Sequence, residues 1–182
     1  MLKRGIFILI AALVPVSPVF AQNTRVPVEQ KQTISTNPIT DILGFINGEY
    51  QRKVGESTTV GVSAAIFDLD DDGFSSVMAF GRYYPQGAAL TGFFFGGRAG
   101  IHRIEFDRFE PSSPDFSAPP VFREVTETRM AIGVDVGYDW LLGSKRNVYI
   151  GLGGGAVRIL GDVDDFFIET YPTVRVNIGF AF

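Results

Sequence analysis

The chain has 182 residues, a formal net charge of −4, one histidine and no cysteine. That length suits one domain. The acidic balance argues against nucleic acid as a partner, and the missing cysteine excludes both a disulfide framework and a lipid-modified N-terminal cysteine.

In chain order, Lys3 and Arg4 come first and an apolar stretch, Gly5 to Val14, follows. Val19-Phe20-Ala21 then places small residues where a signal peptidase reads. The pattern predicts a secretory signal over 1–21, cut after Ala21. The apolar stretch is shorter than the about 20 residues a spanning helix needs. Loss of Lys3 and Arg4 would take the net charge from −4 to −6. Beyond the signal no apolar run approaches the length of a spanning helix. The 21 Gly and 17 Phe, against 3 Met and 1 Trp, suit packed strands better than helices.

Residues 22–41 read as a polar lead-in interrupted by Pro27 and Pro38, with Gln32–Thr36 a weak candidate for a first strand. From 42 to 182 the chain falls into seven clearer segments of alternating character bounded by turn residues. At 43–53, Ile46 and Tyr50 oppose Asn47, Glu49 and Gln51. At 58–67, Val60, Val62, Ala64 and Ile66 oppose Thr59, Gly61, Ser63 and Ala65. At 74–84 the phase is ambiguous, and placing Arg82 inward takes Phe80 inward with it. At 92–103, Phe93, Phe95, Ala99 and Ile101 oppose Phe94, Arg98, His102 and three glycines.

At 129–140, Met130, Ile132, Val134, Val136, Tyr138 and Trp140 share one face. Arg129, Ala131, Gly133, Asp135, Gly137 and Asp139 share the other. Small residues between charges suit the narrow interior of a small barrel, and the aromatic pair suits a membrane interface. At 147–160 a parity shift before Arg158 predicts a bulge. In the last segment Val174, Val176, Ile178, Phe180 and Phe182 oppose Thr173, Arg175, Asn177, Gly179 and Ala181.

The connections alternate. Lys53–Ser57, Pro85–Ala89 and Leu142–Asn147 are short, while an acidic loop (68–73), a long loop (107–124) and an acidic turn (161–165) lie between them. Short periplasmic turns and longer outer loops mark outer-membrane barrels. With the C-terminus in the periplasm, the long and acidic connections fall outside. The expected fold is therefore all-β: an up-and-down antiparallel transmembrane β-barrel of eight strands, in the outer membrane of a double-membraned bacterium.

Several residues carry a resemblance to a known family. Asn37-Pro38, Gly44 and Glu49-Tyr50-Gln51-Arg52 resemble the opening of small bacterial outer-membrane barrels grouped under a domain of unknown function. Gly81-Arg82-Tyr83-Tyr84 followed by Gly92-Phe93-Phe94 is similar to their central hairpin. The plan also resembles eight-stranded surface barrels used for adhesion, envelope integrity or host interaction. The terminal Phe182 resembles the signal read by the barrel assembly machinery. The resemblance implies fold and location and brings no catalytic residues.

The inner face gathers Glu49, Arg98, His102, Arg129, Asp135, Asp139 and Arg175. Buried charges persist when paired, so these residues are expected to form a salt-bridged plug rather than a pore. His102, the one histidine, is the only candidate for a Ser–His pair of the kind a lipid A deacylase would use, and no serine adjoins it in sequence. Asp68, Asp70, Asp72 and Gly73 match half of a calcium loop, but position 12 is Ala79, which rejects an EF-hand and leaves a weak cation site bridging to lipopolysaccharide. The loop at 107–124 mixes Pro111, Pro114, Pro119 and Pro120 with Phe109, Phe116 and Phe122, a surface able to contact a partner.

These features predict a monomeric, non-enzymatic barrel without cofactor or resident metal, meeting outer-membrane lipid and lipopolysaccharide, with a structural or surface-interaction role. Two alternatives stand beside it. One is a barrel enzyme modifying envelope lipid. The other is a secreted soluble barrel holding an apolar ligand, in which the bulky faces would point inward.

Overall fold

The computed structural model describes residues 29–44, 46–69, 72–110, 121–161 and 169–182, with 68, 69, 72, 106–110 and 121–124 described by backbone alone. The predicted signal at 1–21 lies outside these residues. Eight strands are found among them: β1 (Gln32–Thr36), β2 (Ile46–Lys53), β3 (Thr58–Leu69), β4 (Asp72–Tyr83), β5 (Gly92–Glu110), β6 (Val121–Leu142), β7 (Val148–Ile159) and β8 (Thr170–Ala181). Each pairs antiparallel with the next, and β1 pairs with β8, so the sheet closes as an up-and-down barrel. Closure removes the free sheet edges that would otherwise template aggregation.

The seam is short. Thr33 to Thr36 pair with Ala181 back to Ile178. Beyond them the Lys31 and Gln32 amides both donate to the Phe182 carbonyl at 2.9 Å. The closed sheet thus begins at Gln32, inside the polar lead-in, rather than at 42. The segment is too short and polar to show itself locally; the unpaired edges of β2 and β8 recruit it.

A single helix is found among the described residues, the short α1 (Pro38–Ile42) between β1 and β2. Asn37 caps it, accepting the Ile39 amide at 3.2 Å, and Pro38 opens it where a missing N–H costs nothing. Asn47 on β2 ties the turn down, donating to Thr40 Oγ1 at 2.7 Å and to Asp41 Oδ1 at 2.6 Å.

The alternation read from the sequence becomes an inside and an outside. On β6, Met130, Ile132, Val134 and Val136 are exposed, while Ala131, Asp135 and Asp139 are buried. On β8, Val174, Ile178 and Phe180 are exposed and Arg175, Asn177 and Ala181 are buried, and Phe182 just after it is exposed too. The ambiguous β4 takes the inward phase for Phe80 and Arg82, which are 5% and 1% exposed. The barrel is therefore apolar outside and polar inside, the reverse of a soluble ligand-carrying barrel.

Two local expectations are corrected. The predicted bulge in 147–160 is absent: β7 keeps one register with β6 from Leu142↔Val148 to Ala131↔Ile159, and one with β8 throughout. Arg158 consequently points outward, towards Glu169, and Tyr149 points in. The glycines at 153–155 carry no side chain to mark the phase, so the sequence pattern was read as shifted. The long loop at 107–124 is also shorter than expected, because β5 and β6 stay paired up to Glu110↔Val121. The remaining loop residues, including all four of its prolines and Phe116, lie outside the described residues.

Both ends of the closed sheet, Gln32 and Ala181, share one rim with the short connections after β2, β4 and β6. This is the turn end. The opposite rim, carrying α1 and the connections after β3, β5 and β7, is the loop end.

Candidate functional site

The turn end of the lumen is closed by an apolar floor. The connection from β4 to β5 folds beneath the barrel, held by the Tyr84 amide on Ser57 O at 2.8 Å and the Ala89 amide on Glu56 O at 2.7 Å. Leu90 there has φ 73°, a left-handed conformation costing roughly 1–2 kcal/mol for a residue with a Cβ. Its burial beside Leu141, Tyr149 and Ala181 offsets that strain. Tyr84, Ala89 and Phe94 form the neighbouring cluster.

Above the floor lies a network whose charged members come from five strands, β2, β4, β5, β6 and β8. Arg82 forks onto Glu49, with Nη1 on Oε1 at 2.7 Å and Nη2 on Oε2 at 2.9 Å. Its Nε donates to Asp135 Oδ2 at 3.1 Å, which Arg98 Nη2 also reaches at 3.1 Å. Arg175 bridges the far side, Nη1 on Asp139 Oδ1 at 2.8 Å and Nη2 on Glu49 Oε1 at 3.1 Å, and it donates to the Tyr149 hydroxyl. Tyr84 OH donates to Asp139 Oδ2 at 2.7 Å, and Gln51 links Thr59, Tyr84 and Arg82. Three arginines face three carboxylates, so the cluster is neutral as a whole. The Arg82 guanidinium also sits 4.0 Å from the Phe80 ring centroid and 4.9 Å from that of Phe94. Charge-assisted, bidentate contacts of this kind are the strong class of hydrogen bond, and an opposite charge beside each one is what lets the charges stay buried.

Glycines make room for it. A Cβ at Gly151 would lie 2.6 Å from Arg175 Nη1 and 2.7 Å from Asp139 Oδ1. One at Gly96 would meet Arg82 Cγ and Asp135 Oδ1, both at 3.0 Å. The Gly/charge alternation on the inner faces is therefore a packing requirement: long side chains cross a narrow lumen only where the facing strand carries none.

Of the inward residues predicted from sequence, Glu49, Arg98, Asp135, Asp139 and Arg175 meet in this network. Arg129 does not: it pairs along its own strand with Glu127, at 2.9 Å, nearer the loop end. His102 also stands apart, its Nε2 3.4 Å from Tyr171 OH and its ring 5.3 Å from that of Phe74. Sequence reasoning left out Arg82, the most connected member, and Tyr84, Gln51 and Tyr149. Arg82 was within reach, since Phe80, Arg82 and Tyr84 share one parity; Tyr149 was hidden by the expected bulge. Asp70 of the candidate cation loop lies outside the described residues, as do the side chains of Asp68 and Asp72.

Between the network and the loop end the lumen opens into a cavity of about 640 Å³. Ser76 and His102 face one another across β4 and β5 in register, both on the inner wall. The serine that sequence adjacency lacked is thus supplied by strand pairing, but it faces the lumen rather than the outer surface, where a lipid substrate would lie.

No family model matches the chain, and no curated protein matches it. Among solved structures the chain is similar to the N-terminal β-barrel domain of Pseudomonas aeruginosa OprF, at 12% identity and a TM-score of 0.45, over 84% of this chain and 96% of that one. Of the family resemblance read from the sequence, the structure shows the eight-stranded closed barrel.

Proposed function

We propose that this chain is a non-enzymatic barrel of the outer membrane of a double-membraned bacterium, with a structural or surface-interaction role, its lumen stoppered at the periplasmic end. The observation that carries the reading is the outer surface. Between the two rims the outward positions of the strands bear no charge. Outward Arg52 lies near the turn end, and outward Arg103, Glu105 and Arg158 lie near the loop end. Charge at the bilayer midplane would cost roughly 2–4 kcal/mol per Arg or Lys. Between those rims Phe93 to Ile101 and Tyr138 to Met130 carry apolar residues at every outward position over nine residues, matching the roughly 9–11 residues a tilted spanning strand needs. Tyr138 and Trp140 pack with ring centroids 4.5 Å apart, and Tyr83 and Phe95 with centroids 5.4 Å apart, on the outer face towards the turn end, where an aromatic girdle would lie. An apolar surface this continuous would be an aggregation hazard in water.

The closed floor and the neutral charge network support a plug rather than a pore. The same inward placement weighs against an enzyme of envelope lipid, because Ser76 and His102 are shielded from the outer surface. Cell fractionation, with gel migration before and after boiling, tests the reading. The outer-membrane fraction with heat-modifiable migration is expected; recovery from the soluble periplasm would overturn it.

A further inference from the structure

The loop-end cavity has the composition of a binding site. Its apolar wall comes from Phe74, Met78, Val157, Ile159 and Tyr171. Within that wall His102 is 1% exposed, yet its Nδ1 has no hydrogen-bond partner among the described residues. Residues lining the same cavity hold three more buried polar atoms without partners: Arg98 Nε, Asp135 Oδ1 and Arg175 Nε. A buried polar group left unpaired costs roughly 1–3 kcal/mol, so four around one cavity point to a ligand that would engage some of them. The rings of Phe74, His102 and Tyr171 cluster, 5.3 Å and 6.1 Å between centroids, and form an aromatic platform beside the orphaned nitrogen. The volume falls within the roughly 300–1,000 Å³ typical of small-molecule pockets. The floor closes the cavity at the turn end, and among the described residues none closes it at the loop end.

We propose that this cavity binds a small ring-bearing amphipathic molecule, its aromatic body against the Phe74–Tyr171 wall and a hydroxyl group donating to His102 Nδ1, with the imidazole N–H on Nε2 facing the Tyr171 hydroxyl. Charge decides against an ion as the principal ligand, because the three arginines are matched by Glu49, Asp135 and Asp139. A flat ring gains from the aromatic wall, and its hydroxyl satisfies the orphaned nitrogen. The inference needs the barrel and its cavity only, and it stands whichever compartment the barrel occupies.

The chain has one histidine, so its imidazole nitrogens give signals that need no assignment. The purified full chain, uniformly nitrogen-15 labelled, is placed in nanodiscs, or in buffer if fractionation finds it soluble, and titrated with 2-naphthol and then with 2-methoxynaphthalene. A saturable shift of the His102 nitrogens is expected with 2-naphthol, with at least about tenfold weaker binding of the methoxy compound, which cannot donate. Ser76→Phe, which fills the cavity opposite His102, should abolish the saturable shift while heat-modifiable migration persists. If that variant fails to fold, Ser63→Leu on the same wall replaces it. Absence of saturation, equal binding of the two compounds, or an unchanged shift in the filled-cavity variant would each overturn the proposal.

Discussion

Removing Arg82 is the sharpest test of the buried network. Arg82→Met keeps most of the side-chain volume but deletes two bonds to Glu49, one to Gln51 and one to Asp135. Breaking a buried pair by removing one partner costs about 3–5 kcal/mol, because the remaining charge is left uncompensated. Here both carboxylates keep a second arginine, Arg175 on Glu49 and Arg98 on Asp135, so the lower end, about 3 kcal/mol, is expected. Glu49→Gln should cost a similar amount, since it leaves Arg82 short of its bidentate partner. The double variant retains a balanced set, Arg98 with Asp135 and Arg175 with Asp139, so its cost should fall short of the sum by about 2 kcal/mol or more. Urea unfolding in lipid vesicles, followed by the fluorescence of Trp140, the only tryptophan, measures all four proteins. Strict additivity, or single costs below about 1 kcal/mol, would refute the network, because solvated charges act independently and are worth little.

Other consequences of the structure are as direct. Gly137→Ala should destabilise by about 1–3 kcal/mol, since its Cβ would sit 2.8 Å from the Phe94 ring, whereas outward Gly97→Ala, with its nearest neighbour 3.8 Å away, should change stability by about 0.5 kcal/mol or less in the same assay. Lipids brominated near the headgroup should quench Trp140 more than lipids brominated at the chain end, and quenching by neither would place the Tyr138–Trp140 pair away from a bilayer. Planar-bilayer recordings should show no stable channels for the native chain; steady conductance would contradict the floor built on Leu90. Phe182→Ala keeps the seam's backbone bonds to Lys31 and Gln32 but removes the ring, so reduced outer-membrane yield with unaltered stability of the folded fraction would support an assembly-signal role, and unchanged yield would remove it.

The facing of side chains was legible in the sequence because strand alternation is local: neighbouring residues point to opposite sides whatever lies across the sheet. That property separated Val174, Ile178 and Phe180 from Arg175 and Asn177, and the small residues between Asp135 and Asp139, with the loop lengths, showed which face is inside. It failed where residues carry no marker. In β7 the run Gly153-Gly154-Gly155 hides the phase, so Tyr149 was missed. In β1 the residues are polar on both faces, and only pairing with β2 and β8 makes them a strand. The partners in the network were beyond any reading of the chain. Glu49 meets Arg175 across 126 positions, and Arg82 meets Asp135 across 53, because closure brings opposite walls within one side chain's reach. The sequence by itself determined that these charges face inward between glycines. Only the closed barrel decided which charge neutralises which, why His102 and Arg129 stand outside the network, and that Leu90 helps to close the turn end.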